Sequence, residues 1–226
     1  DEYQCVWLSL DESSQVTHSR NNLYAESGND GQTSTVFRHL EVNVPANASY
    51  RLHNHSTGCA THRQNIHINC TGPGAHAAIS SAALVPADTH LDQQITVEHS
   101  AAHSYSEQTI HNIAGDKANV TFNGRIHIHA NSNGVQAHLT NKNLGMGDQA
   151  TINTKPELEI YTDDVQCSHG ATVGQLDADH LFYCASRGID ERSAKQLLSQ
   201  AFLNVCTQGP LADEAADWFN QYAGEA

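Results

Sequence analysis

Residues 124–129 read Gly-Arg-Ile-His-Ile-His, so apolar and polar side chains alternate along this segment. Successive side chains of a β-strand point to opposite faces, and this alternation therefore predicts a strand with one buried and one polar face. The same pattern occurs in residues 35–44, 65–69, 119–122 and 157–161. Together these segments predict a mainly β fold.

Short turn signals, such as Gly72-Pro73-Gly74 and Asn133-Gly134, separate the predicted strands. Strands do not alternate with helical patterns, which argues against a doubly wound sheet. About ten or more short strands fit a sandwich, a barrel or a β-solenoid. Frequent Asn and scarce Pro favour the solenoid, where Asn side chains could satisfy backbone groups at the turns. No exact repeat is visible, so periodicity alone does not decide between them.

The pattern becomes helical near residue 172, which predicts a β domain over residues 1–171 and a helical domain over residues 172–226. Asp177 and Asp190 are predicted N-caps, because a short acidic side chain accepts hydrogen bonds from the first free backbone N–H groups of a helix. The helices are predicted at residues 178–187, 190–206 and 211–222. The second helix carries an apolar stripe, formed by Ala194, Leu197, Leu198, Ala201, Phe202 and Val205. This stripe would pack internally, or dock to a partner if it stays partly exposed.

Composition excludes several classes of function. The net charge is −14 with only 11 basic residues, which argues against a nucleic-acid surface. No apolar run approaches the roughly 18 residues that a membrane span needs. The six cysteines are dispersed and form no CxxC motif, so we expect a reducing, cytoplasmic compartment. The sequence begins without Met in a strand-like segment, and we expect it to be cut from a longer chain.

Nucleotide and hydrolase motifs are absent from the sequence. Neither G-x-x-x-x-G-K-[ST] nor G-x-G-x-x-G occurs, so no nucleotide pocket is predicted. The G-x-S-x-G elbow of a serine hydrolase is absent as well.

Cys167-Ser168-His169 is the sharpest candidate site. In an extended segment, Cys167 and His169 point to the same face. A thiolate and an imidazole together suit iron or zinc, but two ligands do not complete a site, so a second chain would have to supply the rest. The alternative interpretation is a buried cysteine beside a surface histidine.

Sixteen histidines are the one unusual count in the composition. The pairs His53/His55 and His127/His129 would each place two rings on one strand face, a geometry that can chelate a metal ion. The spacing implies no third ligand, so a polar, solvent-exposed face is the favoured interpretation. The alternative is a metal-dependent enzyme on a β-solenoid that uses these four histidines.

Residues 140–147 (Thr-Asn-Lys-Asn-Leu-Gly-Met-Gly) and 163–174 (Asp-Asp-Val-Gln-Cys-Ser-His-Gly-Ala-Thr-Val-Gly) resemble the SufB/SufD family of iron–sulfur cluster assembly. Residues 154–161, 181–183 and 186–189 extend the resemblance.

Two departures favour the SufD branch of this family. SufB chains carry a cysteine in the segment that corresponds to residues 148–153, and this sequence has none there. SufB also tends to have Glu where this sequence has Gly170 after Cys-Ser-His.

The resemblance implies a right-handed parallel β-helix followed by a small C-terminal α-helical domain. It also implies a non-enzymatic scaffold subunit that pairs with SufB through the β-helix. The ATPase SufC would dock on the C-terminal helices, at Leu197, Leu198 and Phe202, and this chain itself would bind no nucleotide. His169 and Cys167 would hold a transient iron–sulfur cluster shared with SufB. A homodimer is an alternative for the isolated chain.

Overall fold

The computed structural model of the protein describes residues 2–23, 35–57 and 61–222, without the side chains of residues 221 and 222. In these ranges twelve β-strands precede three α-helices. The strands are β1 (Glu2–Ser9), β2 (Gln15–Leu23), β3 (Thr35–Val44), β4 (Ser49–Thr57), β5 (Thr61–Cys70), β6 (His76–Val85), β7 (His90–His99), β8 (Tyr105–Ala114), β9 (Asn119–Ile128), β10 (Val135–Gly145), β11 (Thr151–Ile160) and β12 (Val165–Gln175). The helices are α1 (Ala178–Ser186), α2 (Glu191–Asn204) and α3 (Ala212–Tyr222).

The strands wind into a parallel β-solenoid of about 5 turns. Odd-numbered strands form one sheet in the order β1-β3-β5-β7-β9-β11, and even-numbered strands form the other in the order β12-β10-β8-β6-β4-β2. Gln64 and Gln93 occupy paired positions in neighbouring turns and lie 29 residues apart along the chain. The predicted parallel β-helix is therefore confirmed.

The interior of the solenoid is built from columns of like side chains. Val42, Ile68, Val97 and Ile126 are paired across β3, β5, β7 and β9, and all four are fully buried. Because strand side chains alternate, the residues between them face outward, which explains the pattern seen in residues 124–129.

The corners of the solenoid repeat the same backbone conformation, but they do not repeat the same residue types. The left-handed backbone conformation recurs at corners occupied by different residues: Ser13, Asn47, Gly74, Asp88, His103, Lys117 and Asn131. Asn, Asp and His are enriched in this conformation and Gly adopts it freely, whereas Lys adopts it at some cost. This variety explains why no exact repeat is visible in the sequence.

Several amide side chains lie inside the solenoid, where they bond to one another. The Asn54 amide accepts a hydrogen bond from Asn22 (3.1 Å) and donates to Gln64 Oε1 and Ser81 Oγ (3.0 Å each). Gln93 donates to Gln64 at 3.3 Å. We call Asn22, Asn54, Gln64, Ser81 and Gln93 the interior amide row. In this row the Asn side chains bond mainly to other side chains inside the solenoid, and Asn22 also donates to the backbone oxygen of His55 at 3.2 Å.

Both predicted N-caps are confirmed. The Asp177 side chain accepts a hydrogen bond from Asp179 N at 2.8 Å, and Asp190 accepts one from Ser193 N at 3.0 Å. Gly188, with φ of 81°, follows the C-cap of α1, as its sequence position predicts.

α2 and α3 pack on the outer face of the even-numbered sheet, and α1 packs beside α2. Ala82, Leu84 and Ile113 of β6 and β8 form a core cluster with Leu203 of α2 and Phe219 of α3. β12 continues to Gln175, so the change from strand to helix lies a few residues after position 172. Whether the helices form a separate domain over residues 172–226 stays a prediction. None of the described helices is both long and apolar enough to cross a membrane.

Candidate functional site

Cys167 and His169 lie on β12, the last strand of the even-numbered sheet. Cys167 is paired with Ala137 and His169 with Leu139, and both partners are buried in the interior. Paired residues of a parallel sheet point to the same side, so Cys167 and His169 also face the interior side. They share one face, as the sequence predicts.

Ser168 points to the opposite, outer face of β12. Its hydroxyl lies 2.8 Å from Nδ1 of His138 in the neighbouring strand β10, and a hydrogen bond joins the two side chains. This contact fixes the outer face of the edge strand and confirms that the strand alternation separates Ser168 from its two neighbours.

The two candidate ligands differ in exposure. Cys167 is half-buried and packs against the interior core, whereas His169 is exposed. Burial raises the pKa of the Cys167 thiol, and the hydrogen bond with the backbone of Ala137 offsets only part of this effect. The thiol is therefore protonated at neutral pH, and a bound metal ion would be needed to displace the proton.

Within the described residues, Cys167 and His169 belong to no group of three metal-ligating side chains. The pair can supply one sulfur and one nitrogen ligand to iron. That another molecule supplies the remaining ligands of a cluster stays a prediction.

The last turn of the solenoid carries interior-type side chains that no further described turn covers. Ile160 of β11 is 39% exposed and Val173 of β12 is 54% exposed, whereas their counterparts in the preceding strands are buried. We call Leu158, Ile160, Cys167, His169 and Val173 the terminal layer. The terminal layer is a largely apolar surface, and the two candidate ligands, Cys167 and His169, are part of it.

The predicted partner-binding residues of α2 have different environments. Leu197 is 51% exposed, while Leu198 and Phe202 are half-buried. The buried residues of α2 are Ala194, Ser199 and Leu203. Leu197, Ala201 and Val205 of the predicted stripe are exposed, so the stripe packs internally only in part. Whether its exposed part docks a partner stays a prediction.

Two exposed aromatic residues on α1 were not predicted as functional. Phe182 is 75% exposed and Tyr183 is 59% exposed, and α1 packs beside α2. The only signal in the sequence was the apolar run Leu181-Phe182-Tyr183, which also fits a buried helix.

The histidine pair of β4 is not on a solvent-exposed face. His53 and His55 are buried, because α3 and the segment before it cover this part of β4. Nδ1 of His55 lies 2.7 Å from Asn21 Oδ1, and burial lowers the pKa of His55 to about 4. The prediction of a polar solvent face is therefore wrong for this pair.

The comparison with known proteins shows the family of this chain. The family model described as "SUF system FeS cluster assembly, SufBD core domain" matches residues 3–202. This chain belongs to that family. The resemblance predicted from the Cys-Ser-His segment and its surroundings is confirmed.

Three relatives illustrate the similarity of this SufBD chain. It is 36% identical to the iron–sulfur cluster assembly protein SufD of Escherichia coli, over 79% of this chain and 42% of that protein. A SufBD family protein of Synechocystis is 31% identical over 91% of this chain and 44% of its own length. The SufB of Bacillus subtilis is 28% identical over 61% of this chain and 30% of its own length. The chain thus spans less than half the length of each of these relatives.

Proposed function

We propose that this chain is a non-enzymatic scaffold subunit for iron–sulfur cluster assembly, in which Cys167 and His169 present two ligands to a nascent cluster. The observation that carries the proposal is their placement on one face of an edge strand, within a surface that no further described turn covers. The cluster is the cargo of the scaffold, and it leaves for other proteins.

The remaining ligands would come from SufB, paired with this chain through the end of the solenoid. The terminal layer supports this proposal, because an apolar surface of this kind gains free energy when a partner covers it. β11 and β12 are sheet edges within the described part of the chain, and edge strands carry backbone groups to which a partner strand can bond. A second copy of this chain could cover the same surface, which makes a homodimer the alternative.

The ATPase SufC would dock on the helices. Phe182, Tyr183 and Leu197 support this proposal, because they expose apolar side chains on the neighbouring helices α1 and α2. ATP would be bound by SufC and not by this chain. Its hydrolysis would move the helices relative to the solenoid, and this movement would open the interface at β12.

A reducing, cytoplasmic location is part of the proposal. The five cysteines in the described residues are free: Cys5, Cys70, Cys167, Cys184 and Cys206. A nascent cluster needs thiolates, which disulfide formation would remove.

Co-expression of the full-length protein with SufB and SufC would test the proposal. Iron and acid-labile sulfide in the purified complex are compared between wild type, His169→Ala and the control His138→Ala, which removes a histidine from the outer face beside β12. We expect His169→Ala to lower iron and sulfide several-fold while all three proteins still co-elute, and His138→Ala to match wild type. Unchanged iron and sulfide in His169→Ala would leave this chain as an assembly partner without a ligand role.

A further inference from the structure

Four polar side chains meet on the outer face of the odd-numbered sheet, on three successive turns. Glu98 of β7 is paired with His127 of β9. Its Oε2 atom lies 3.1 Å from Nε2 of His129, and its Oε1 atom lies 3.2 Å from Nε2 of His67 in β5. We call these four residues the Glu98 cluster.

His127 of β9 and His129, which directly follows this strand, already have a chelating arrangement. His127 and His129 are two residues apart, and their rings stack with centroids 4.2 Å apart at an interplanar angle of 16°. One ligand atom from each ring and one Glu98 oxygen lie within 4.8 Å of one another. Ligands about 2.1 Å from a tetrahedral metal ion are roughly 3.4 Å apart, so small side-chain rotations would bring these atoms into coordination.

His67 adds an independent observation. Its Nε2 atom is buried, and it forms no hydrogen bond with any described group, although Glu98 Oε1 is only 3.2 Å away. A metal ion held by Glu98 would lie within reach of this ring nitrogen, which could then serve as a further ligand.

The charges of the cluster suit a cation. Burial alone would raise the pKa of Glu98, but the hydrogen bond from His129 and the nearby His67 outweigh it, and the pKa lies below the usual range. Burial lowers the pKa of His127, and the neighbouring His129 lowers it further. A carboxylate oxygen and imidazole nitrogens are ligands that first-row divalent metal ions accept.

The positive charge of Arg125 lies next to the Glu98 cluster and opposes the binding of a cation there. Its Nη2 atom lies 3.3 Å from Nδ1 of His127 and 2.5 Å from Glu159 Oε2. The contact with His127 is long and would be released if Nδ1 bound a metal ion. The ion pair with Glu159 would then still hold Arg125 and offset its charge.

We propose that the Glu98 cluster is a binding site for one divalent first-row transition-metal ion, separate from Cys167 and His169. Imidazole and carboxylate ligands together suit Zn²⁺ and Fe²⁺. The ion would join β5, β7 and β9 across the outer face and thereby stabilise three turns of the solenoid against unfolding.

Metal titration of the purified protein carrying Cys167→Ser would test the site without a contribution from that thiol. Co²⁺ serves as the spectroscopic probe, and Zn²⁺ and anaerobic Fe²⁺ are titrated by calorimetry. We expect one ion per chain with micromolar or tighter affinity, and a rise in the unfolding temperature at saturation. Glu98→Gln and His129→Ala should each weaken binding at least tenfold.

His90→Ala is the matched control, because His90 begins the same strand that carries Glu98 near its other end, about 26 Å away in an extended strand. It should bind metal as the parent protein does. The proposal is overturned if the parent protein binds no Co²⁺, Zn²⁺ or Fe²⁺ below millimolar concentration. It is equally overturned if Glu98→Gln and His129→Ala, folded by circular dichroism, bind as tightly as His90→Ala.

Discussion

His111 and Phe202 make two contacts with each other, one hydrogen bond and one ring stack. The Nδ1 atom of His111 donates a hydrogen bond to the carbonyl oxygen of Phe202 at 2.7 Å, and the two rings stack with centroids 4.6 Å apart. This acceptor requires the proton on Nδ1 of the neutral ring. One side chain of β8 thus holds the C-terminal end of α2 against the solenoid.

His111→Ala should loosen α2 without affecting the interior of the solenoid. The variant loses one hydrogen bond and one ring contact, which together stabilise the docked helix by about 1–3 kcal/mol. Hydrogen exchange resolved by mass spectrometry would show faster exchange in α2 and unchanged exchange in β7. His180→Ala, an exposed histidine on α1, is the control and should leave both unchanged. Equal protection of α2 in His111→Ala and wild type would show that this contact does not hold the helix.

Leu197 and Phe202 should respond differently to the same substitution. Leu197→Asp places a charge on an exposed position, so the free energy of unfolding should change by less than about 0.5 kcal/mol. Phe202→Asp places the charge against β8 and should destabilise the packed helix by about 2 kcal/mol or more. Chemical denaturation measures both free energies of unfolding.

Binding of SufC, measured by calorimetry, should weaken for Leu197→Asp if the helices dock this ATPase. Unchanged binding would exclude Leu197 from that surface.

Stability should fall as the solution is acidified below about pH 6.5. Burial lowers the pKa of His99 from 6.5 to about 4, and it lowers the pKa of His62 to about 3. The unfolded chain takes up protons below pH 6.5 that these folded-state rings do not accept, so stability is lost as pH falls toward 4. By pH 5 the loss amounts to about 2 kcal/mol for each ring.

Urea denaturation at pH 7.5 and pH 5 would measure this effect. His99→Gln removes one of the titrating rings, so its loss of stability between the two pH values should be smaller than that of wild type. The neutral amide can still bond to Ser104 or Ser106, whose hydroxyls lie 2.7 and 2.9 Å from the His99 ring nitrogens. If the stability of His99→Gln and wild type depended equally on pH, His99 would not contribute to the loss of stability in acid.

Gly124→Ala should destabilise the solenoid by about 1–3 kcal/mol, because the added methyl group overpacks the interior. A Cβ atom at this position would lie 2.6 Å from side-chain atoms of both Leu139 and Phe122. Gly174→Ala is the matched control, since a Cβ atom there has no neighbour within 4 Å. Thermal unfolding would show a lower midpoint only for Gly124→Ala. Similar midpoints for the two variants would mean that Leu139 and Phe122 move aside at little cost.

The sequence predicted what local chemistry determines. Alternation in residues 124–129 predicted β9, and the side chains of Asp177 and Asp190 predicted the starts of two helices. These features depend on neighbours within a few residues. The shared face of Cys167 and His169 could be predicted for the same reason.

Contacts between distant segments could not be predicted. His55 is buried because α3, more than a hundred residues later, lies over it, and nothing near His55 indicates this cover. Glu98 meets His129 across a separation of 31 residues, which is set by the register of neighbouring turns. The corners that fix this register contain different residues, so the sequence alone does not show which turn positions coincide.

The interior amide row makes the register of the solenoid unique. In a purely aliphatic interior, Val, Ile and Leu could exchange places, and a strand could slip by two residues with its faces preserved. Such a slip of β7 along β5 would set Gln93 beside Ile66 or His62 in place of Gln64. Two buried amides would then lose their partners, at about 1–3 kcal/mol for each unpaired group. The row therefore contributes to the specificity of the fold, because it disfavours misaligned pairing of the five strands that carry it, which are β2, β4, β5, β6 and β7.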